Sequence, residues 1–257
     1  VQSFFDEHLK WMNRSHSAKQ AFSSIKTAQD GGIENITIDL IYGFSKLTTN
    51  QWKENIDKVI ALNIPHFSAY CLTVEPKTAL AKLVSKDTAL IPKDETSLKH
   101  FNLLIEKALN QNFIHYEISN FAKENAFSRH NSSYWKGAKY IGIGPSAHSF
   151  DGLSRQWNIK NNNLYIKSIS SNKPFYEKET LTTKNQYNEY VLTSLRTIWG
   201  TSAEKIKTDF PNFYKGFITS SEGLLERKLL KKRNNIFFLT EKAKFMADNV
   251  ALELFAD

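Results

Sequence analysis

The chain has 257 residues, 41% hydrophobic and 23% charged, with a net charge of +8 and a single cysteine, Cys71. That composition excludes wholesale disorder, and no apolar run is long enough to cross a bilayer. The lone cysteine excludes an internal disulfide framework and any cysteine-ligated iron–sulfur cluster or Cys-rich zinc site within the chain.

Residues 1–3 read as the tail of an extended segment, and Phe5, Leu9 and Met12 then recur at helical spacing. Ser17-Ala-Lys-Gln20 has the form of a capping box and opens a helix that stops at Gly31-Gly32. The run from Ile36 to Tyr42 is β-branched and apolar, which predicts a parallel strand covered on both faces. Asp39 lies inside that run, so its carboxylate is expected to be paired or to bind something, because an uncompensated buried charge is costly. Thr49 is the expected cap of the next helix, with Trp52, Ile56, Val59 and Ile60 as its apolar stripe. His66–Thr73 is a second strand, Asp94–Asn112 a long helix, His115–Phe121 a third strand and Tyr140–Gly144 a fourth. This β-α-β-α-β order predicts right-handed crossovers and a parallel sheet, with any ligand at the carboxyl ends of the strands.

Ser170–Pro174 reads as a linker, after which the chain becomes mainly helical. A helix is expected over 183–199, short ones over 202–209 and 212–217, and another from 221 to about 232. Asn234-Asn235 signals a hairpin turn, Ile236–Leu239 a short strand, and 240–255 a final helix. Helices followed by a basic segment and a short strand describe a winged-helix-like module. The lysines are otherwise dispersed among polar residues. Apart from the cluster Lys228, Lys231, Lys232 and Arg233, the positive charge reads as a solvated surface, and nucleic acid is not an expected partner. The chain begins at Val1 without Met or a visible signal peptide, as an N-terminally truncated piece would, and a cytoplasmic setting is expected.

The densest chemistry lies between His130 and Phe150. A histidine with Tyr134 and Trp135 close behind it suits a flat, iron-bearing aromatic ligand, since imidazole ligates haem iron and aromatic rings cover a macrocycle's face. A histidine satisfied by backbone in a buried loop is the plainer alternative.

Four motifs in this order, Asp39-Leu-Ile-Tyr-Gly43, Tyr116-Glu-Ile-Ser-Asn-Phe-Ala122, His130-Asn-x-x-Tyr-Trp135 and Gly142-x-Gly-Pro-x-Ala-His148, resemble the HemW-type haem chaperones. These are radical S-adenosylmethionine proteins related to oxygen-independent coproporphyrinogen III oxidase. The resemblance implies an α/β fold: the C-terminal half of an incomplete parallel (β/α) barrel over 1–170, then a small, mainly helical, winged-helix-like domain over 171–257. It implies S-adenosylmethionine contacts at Gln2, Arg14 and Asp39, with Thr73 and His148 in further roles around the nucleoside. It also implies His130 as the haem-iron ligand, with Asn131, Tyr134 and Trp135 forming the haem pocket. The family's [4Fe–4S] cluster needs a Cys-x-x-x-Cys-x-x-Cys motif that this sequence does not contain, so the chain alone is expected to be catalytically inert. The family pattern is broken at Gly43-Phe44-Ser45-Lys46 and Glu75-Pro76-Lys77-Thr78, which puts those loop shapes in question. Expected partners are haem and a haem-acceptor protein such as a respiratory one, with self-association through an exposed sheet edge also open. The alternatives are a radical coproporphyrinogen III oxidase, which would be an enzyme of porphyrin biosynthesis, and a winged-helix nucleic-acid binder.

Overall fold

A computed structural model describes residues 1–87 and 93–256. The chain forms two compact units, Val1–Ser128 and Arg129–Asp257.

The first unit holds α1 (Asp6–Trp11), α2 (Ala18–Asp30), β1 (Thr37–Tyr42), α3 (Thr49–Ala61), β2 (His66–Cys71), α4 (Ala79–Val84), α5 (Asp94–Asn110), β3 (Ile114–Glu117) and β4 (Asn120–Ala122). Local chemistry sets the helix starts. Ser17 and Gln20 form the expected capping box on α2, and an equivalent box of Thr48 and Gln51 opens α3, one residue before the expected cap. The sheet order is β1-β2-β4-β3, with β1 and β2 parallel. The expected third strand is instead a hairpin. Residues 118 and 119 turn the chain, so β4 runs antiparallel between β2 and β3. The Glu117 carboxylate accepts the Ser119 N–H at 3.0 Å and so supports the turn.

One face of this sheet carries an aromatic core. Tyr42 lies 5.3 Å from Trp52 and 6.4 Å from Phe101, while Phe121 stacks between Phe67 and His115. Trp52 of α3 also donates its indole N–H to the His100 carbonyl of α5 at 2.8 Å, which ties the two covering helices together. The opposite face is polar. In register across the four strands run Asp39, Ser68, Asn120 and Glu117. The expectation that β1 is covered on both faces fails, because burial along it alternates and Asp39 is exposed. Its carboxylate faces solvent, so no buried partner is required.

The second unit holds α6 (Arg129–Trp135), β5 (His148–Phe150), β6 (Ser154–Asn158), α7 (Asn162–Ser170), β7 (Tyr176–Thr180), α8 (Thr183–Leu195), β8 (Thr201–Ser202), α9 (Ala203–Asp209), α10 (Pro211–Glu226), β9 (Leu230–Arg233), β10 (Ile236–Leu239), a 3-10 helix at Glu241–Met246, and α11 (Ala247–Leu252). Tyr140–Gly144 is a loop that touches β5 through a single bridge from Tyr140 to Phe150. Residues 170–174 lead from α7 into β7, which pairs antiparallel with β6, so the sheet β5-β6-β7 draws on both sides of position 170. By compactness the chain parts between Ser128 and Arg129. The winged module is present as α9, α10 and the sheet β8-β10-β9. Asn234 and Asn235 turn the β9–β10 hairpin with φ of 50° and 60°, as their residue types predict. The last expected helix breaks into the 3-10 segment and α11. No described helix is long and apolar enough to cross a membrane.

Candidate functional site

In the first unit, three of the expected cofactor residues come together beside β1. Residues 1–3 run parallel to it. The Gln2 N–H donates to the Asp39 carbonyl at 2.7 Å, and the Ile41 N–H donates to the Gln2 carbonyl at 3.0 Å. Gln2 holds a left-handed backbone, φ 60°, which is uncommon for a non-glycine residue. Arg14 follows α1, its N–H bonded to the Leu9 carbonyl at 2.8 Å. The Val1 amino group registers both charges. Burial lowers its pKa, Asp39 opposes that, and Arg14 adds to it. A guanidinium and a carboxylate at one sheet edge match a ligand that carries its own carboxylate and hydroxyl groups. Thr73 lies exposed just past the carboxyl end of β2.

A polar row next to these residues was not assigned a role from sequence. Ser68 donates to the Asn120 side-chain oxygen at 2.9 Å, and the Asn120 amide donates to Glu117. Beside it, His66 is held on both ring nitrogens, by the Thr37 hydroxyl at 2.6 Å and the Tyr116 hydroxyl at 2.7 Å. The Tyr116-Glu-Ile-Ser-Asn stretch was the signal available, but only the hairpin shows that Glu117 and Asn120 face one way. Cys71 is half-buried, and burial pushes its thiol pKa up. Among the described residues, no group of three or more His, Cys, Asp or Glu side chains is arranged to hold a metal ion.

In the second unit, His130 is exposed on α6. The i, i+4 spacing sets Tyr134 against it, edge to face at 5.0 Å, and Tyr134 meets Tyr140 in the same way at 4.9 Å. Asn131 and Trp135 are half-buried on the same short helix. His148 is exposed at the start of β5.

The glycine-rich loop before His148 is shaped by close approach. A Cβ on Gly142 would lie 2.1 Å from the His148 carbonyl oxygen. The loop's own polar groups are satisfied by side chains. The Gly142 N–H donates to Ser149 at 2.9 Å, and the buried Asn158 amide donates to the Gly144 carbonyl at 2.9 Å. Gly142→Ala is expected to cost about 1–3 kcal/mol, as overpacking does. A thermal melt matching the wild type would show that the loop yields without cost.

No family model matches the chain. It is 31% identical over 252 residues to the heme chaperone HemW of Bacillus subtilis, covering 97% of this chain and 66% of that protein. It is 29% identical over 251 residues to the HemW of Lactococcus lactis, again 97% of this chain and 66% of the relative. Among solved structures, coproporphyrinogen III oxidase (HemN) from Escherichia coli, a radical SAM enzyme, superposes with a TM-score of 0.81 at 19% identity, over 100% of this chain and 63% of that one. The fold is therefore that of the radical S-adenosylmethionine proteins, seen in part. The motifs and the extended sequence match narrow this further. The chain belongs to the HemW family. It spans just under two thirds of the length of the relatives it matches.

Proposed function

We propose that the protein is a haem chaperone, which binds haem with His130 as iron ligand and passes it to an acceptor haem protein, a respiratory one being the first to test. The observation that carries this reading is the exposed His130 braced by Tyr134 on α6, in a chain whose HemW relatives align over nearly its whole length. Imidazole ligates haem iron directly, and an aromatic ring packed against it limits its rotation. Asn131 and Trp135 flank the histidine and would cover the macrocycle. Gln2, Arg14, Asp39 and Thr73 are proposed to contact S-adenosylmethionine, with His148 in a further role. Arg14 would pair the methionyl carboxylate, and Asp39 would accept from ribose hydroxyls. The family's barrel and C-terminal domain are proposed to occupy 1–170 and 171–257, and the setting to be cytoplasmic.

The residues of this chain do not fit a [4Fe–4S] cluster. Cys71 is the only cysteine in the sequence, and its sulfur lies against Gly43. No step is routed through a cluster here. Titration of the chain with haemin, followed at the Soret band, tests the reading. A saturable shift is expected, and no spectral change up to solubility would rule it out.

A further inference from the structure

We propose that a cavity in the second unit, walled in part by Tyr134 and Trp135, binds the carboxylate-bearing edge of a tetrapyrrole, with Arg155 as the anion partner. The inference rests on the haem-chaperone reading and says which end of the ligand this part of the unit holds. The cavity has a volume of about 380 Å³ and lies between α6, β6, α8 and α9. That is near the lower end of the range, about 300–1,000 Å³, that accommodates a drug-sized ligand. It therefore suits one edge of a macrocycle and not the whole of it.

Its walls are aromatic. Tyr134 reaches Tyr140, which lies 6.1 Å from Phe150, and across the cavity Tyr190 stacks on Phe210 at 6.1 Å. Tyr134 is also the ring that braces His130, so the histidine and the cavity share one side chain. The charged groups among these walls are mostly cationic. Lys136, Arg155 and Lys205 line the cavity against a single carboxylate, Glu189. Lys205 is already paired with Asp209 at 2.5 Å. Arg155 meets Glu189 through one terminal nitrogen at 2.6 Å, while its side chain remains 44% exposed.

Two buried donors in this wall have no hydrogen-bond partner among the described residues, the Arg155 Nε and the Trp135 Nε1. Buried donors are almost always satisfied, so two orphans in one cavity wall mark a place where an acceptor belongs. A guanidinium whose Nε is unspent can meet a carboxylate in the two-point Nε/Nη geometry when its fork pivots about the Glu189 contact. Burial raises the Glu189 pKa and Arg155 opposes that, which fits a partly dehydrated acid that would share Arg155 with an incoming anion.

The test uses the purified full chain and an iron-free probe, so that His130 ligation plays no part. Protoporphyrin IX and its dimethyl ester are titrated by fluorescence. The free acid is expected to bind about tenfold tighter than the ester, and Arg155→Gln to remove that preference. Glu189→Gln, which keeps the arginine, is expected to tighten the free acid, and it supplies the answer if Arg155→Gln does not fold. Equal binding of acid and ester by the wild type, or an undiminished preference in a folded Arg155→Gln, overturns the proposal. Haemin binding that depends on His130 alongside equal acid and ester affinity removes this inference and leaves the chaperone reading standing. Binding of neither porphyrin nor haemin removes both.

Discussion

Haemin affinity is expected to fall on the order of 100-fold in His130→Ala, with the fold unchanged. Loss of groups that merely orient a metal ligand already costs about 10–100-fold, so removal of the ligand itself belongs at the top of that range. The fold should not notice. His130 is exposed on α6, and its packing contact is the edge-to-face one with Tyr134 on the same helix. Alanine is also the best helix former at such a position. The matching melt of the variant then separates a binding defect from unfolding. His148→Ala is the contrast. That histidine is exposed on β5 and is assigned to the nucleoside, so its loss should leave the Soret titration as in the wild type. An unchanged titration in His130→Ala, or a collapse in His148→Ala alone, would move the iron ligand away from α6.

What the sequence disclosed and what it hid divide along a physical line. Features set by a few adjacent residues were legible. The Ser17–Gln20 box, the Asn234-Asn235 turn and the His130–Tyr134 pair each follow from one turn of backbone. Features set by pairing at a distance were not. The β3–β4 hairpin has no Gly or Asn-Gly turn signal, because the Glu117 carboxylate supports the Ser119 backbone instead. The β1 run looks buried throughout, because Thr37 and Ile41 share the open face with Asp39 and dilute the alternation. Tyr140–Gly144 has strand-like composition, yet its backbone pairing with β5 stops at Tyr140 and Phe150, and Gly142 and Gly144 bond the Ser149 and Asn158 side chains instead. The cavity around Arg155 and Glu189 combines β6 and α8, so no local motif announces it.

Acid is expected to destabilise the first unit as pH falls from about 6.5 toward 4. His66 and His100 are both buried and both pushed down to about 4, by loss of water around the charged form in each case. For His66, Asp39 opposes the shift, while for His100 the neighbouring Lys99 reinforces it. His8 shifts in the same direction, again chiefly through burial. In the unfolded chain these rings take up protons near pH 6.5, whereas in the folded chain His66 and His100 stay neutral until about 4. The unfolded state therefore binds more protons across that interval. Stability is full above about pH 6.5 and falls as pH drops toward 4, after which this contribution is constant. At about 1.4 kcal/mol per pH unit, the interval amounts to roughly 3 kcal/mol for each of His66 and His100, a large part of a typical domain's stability. Asp151, whose carboxyl is held below its ordinary range by Ser154 and the Leu153 N–H, acts only at lower pH. The two histidines respond differently to substitution. His66 is hydrogen-bonded on both nitrogens, so replacing it strands Thr37 and Tyr116. Neither ring nitrogen of His100 has a partner among the described residues, so His100→Leu gives up no hydrogen bond and removes one acid-sensitive group. Melts of the wild type at pH 8, 6.5, 5.5 and 4.5 should show a plateau followed by a steep decline, and His100→Leu should decline less. A wild-type profile flat down to pH 4.5, or a variant that falls in parallel with it, would show that these rings are not kept neutral by their burial.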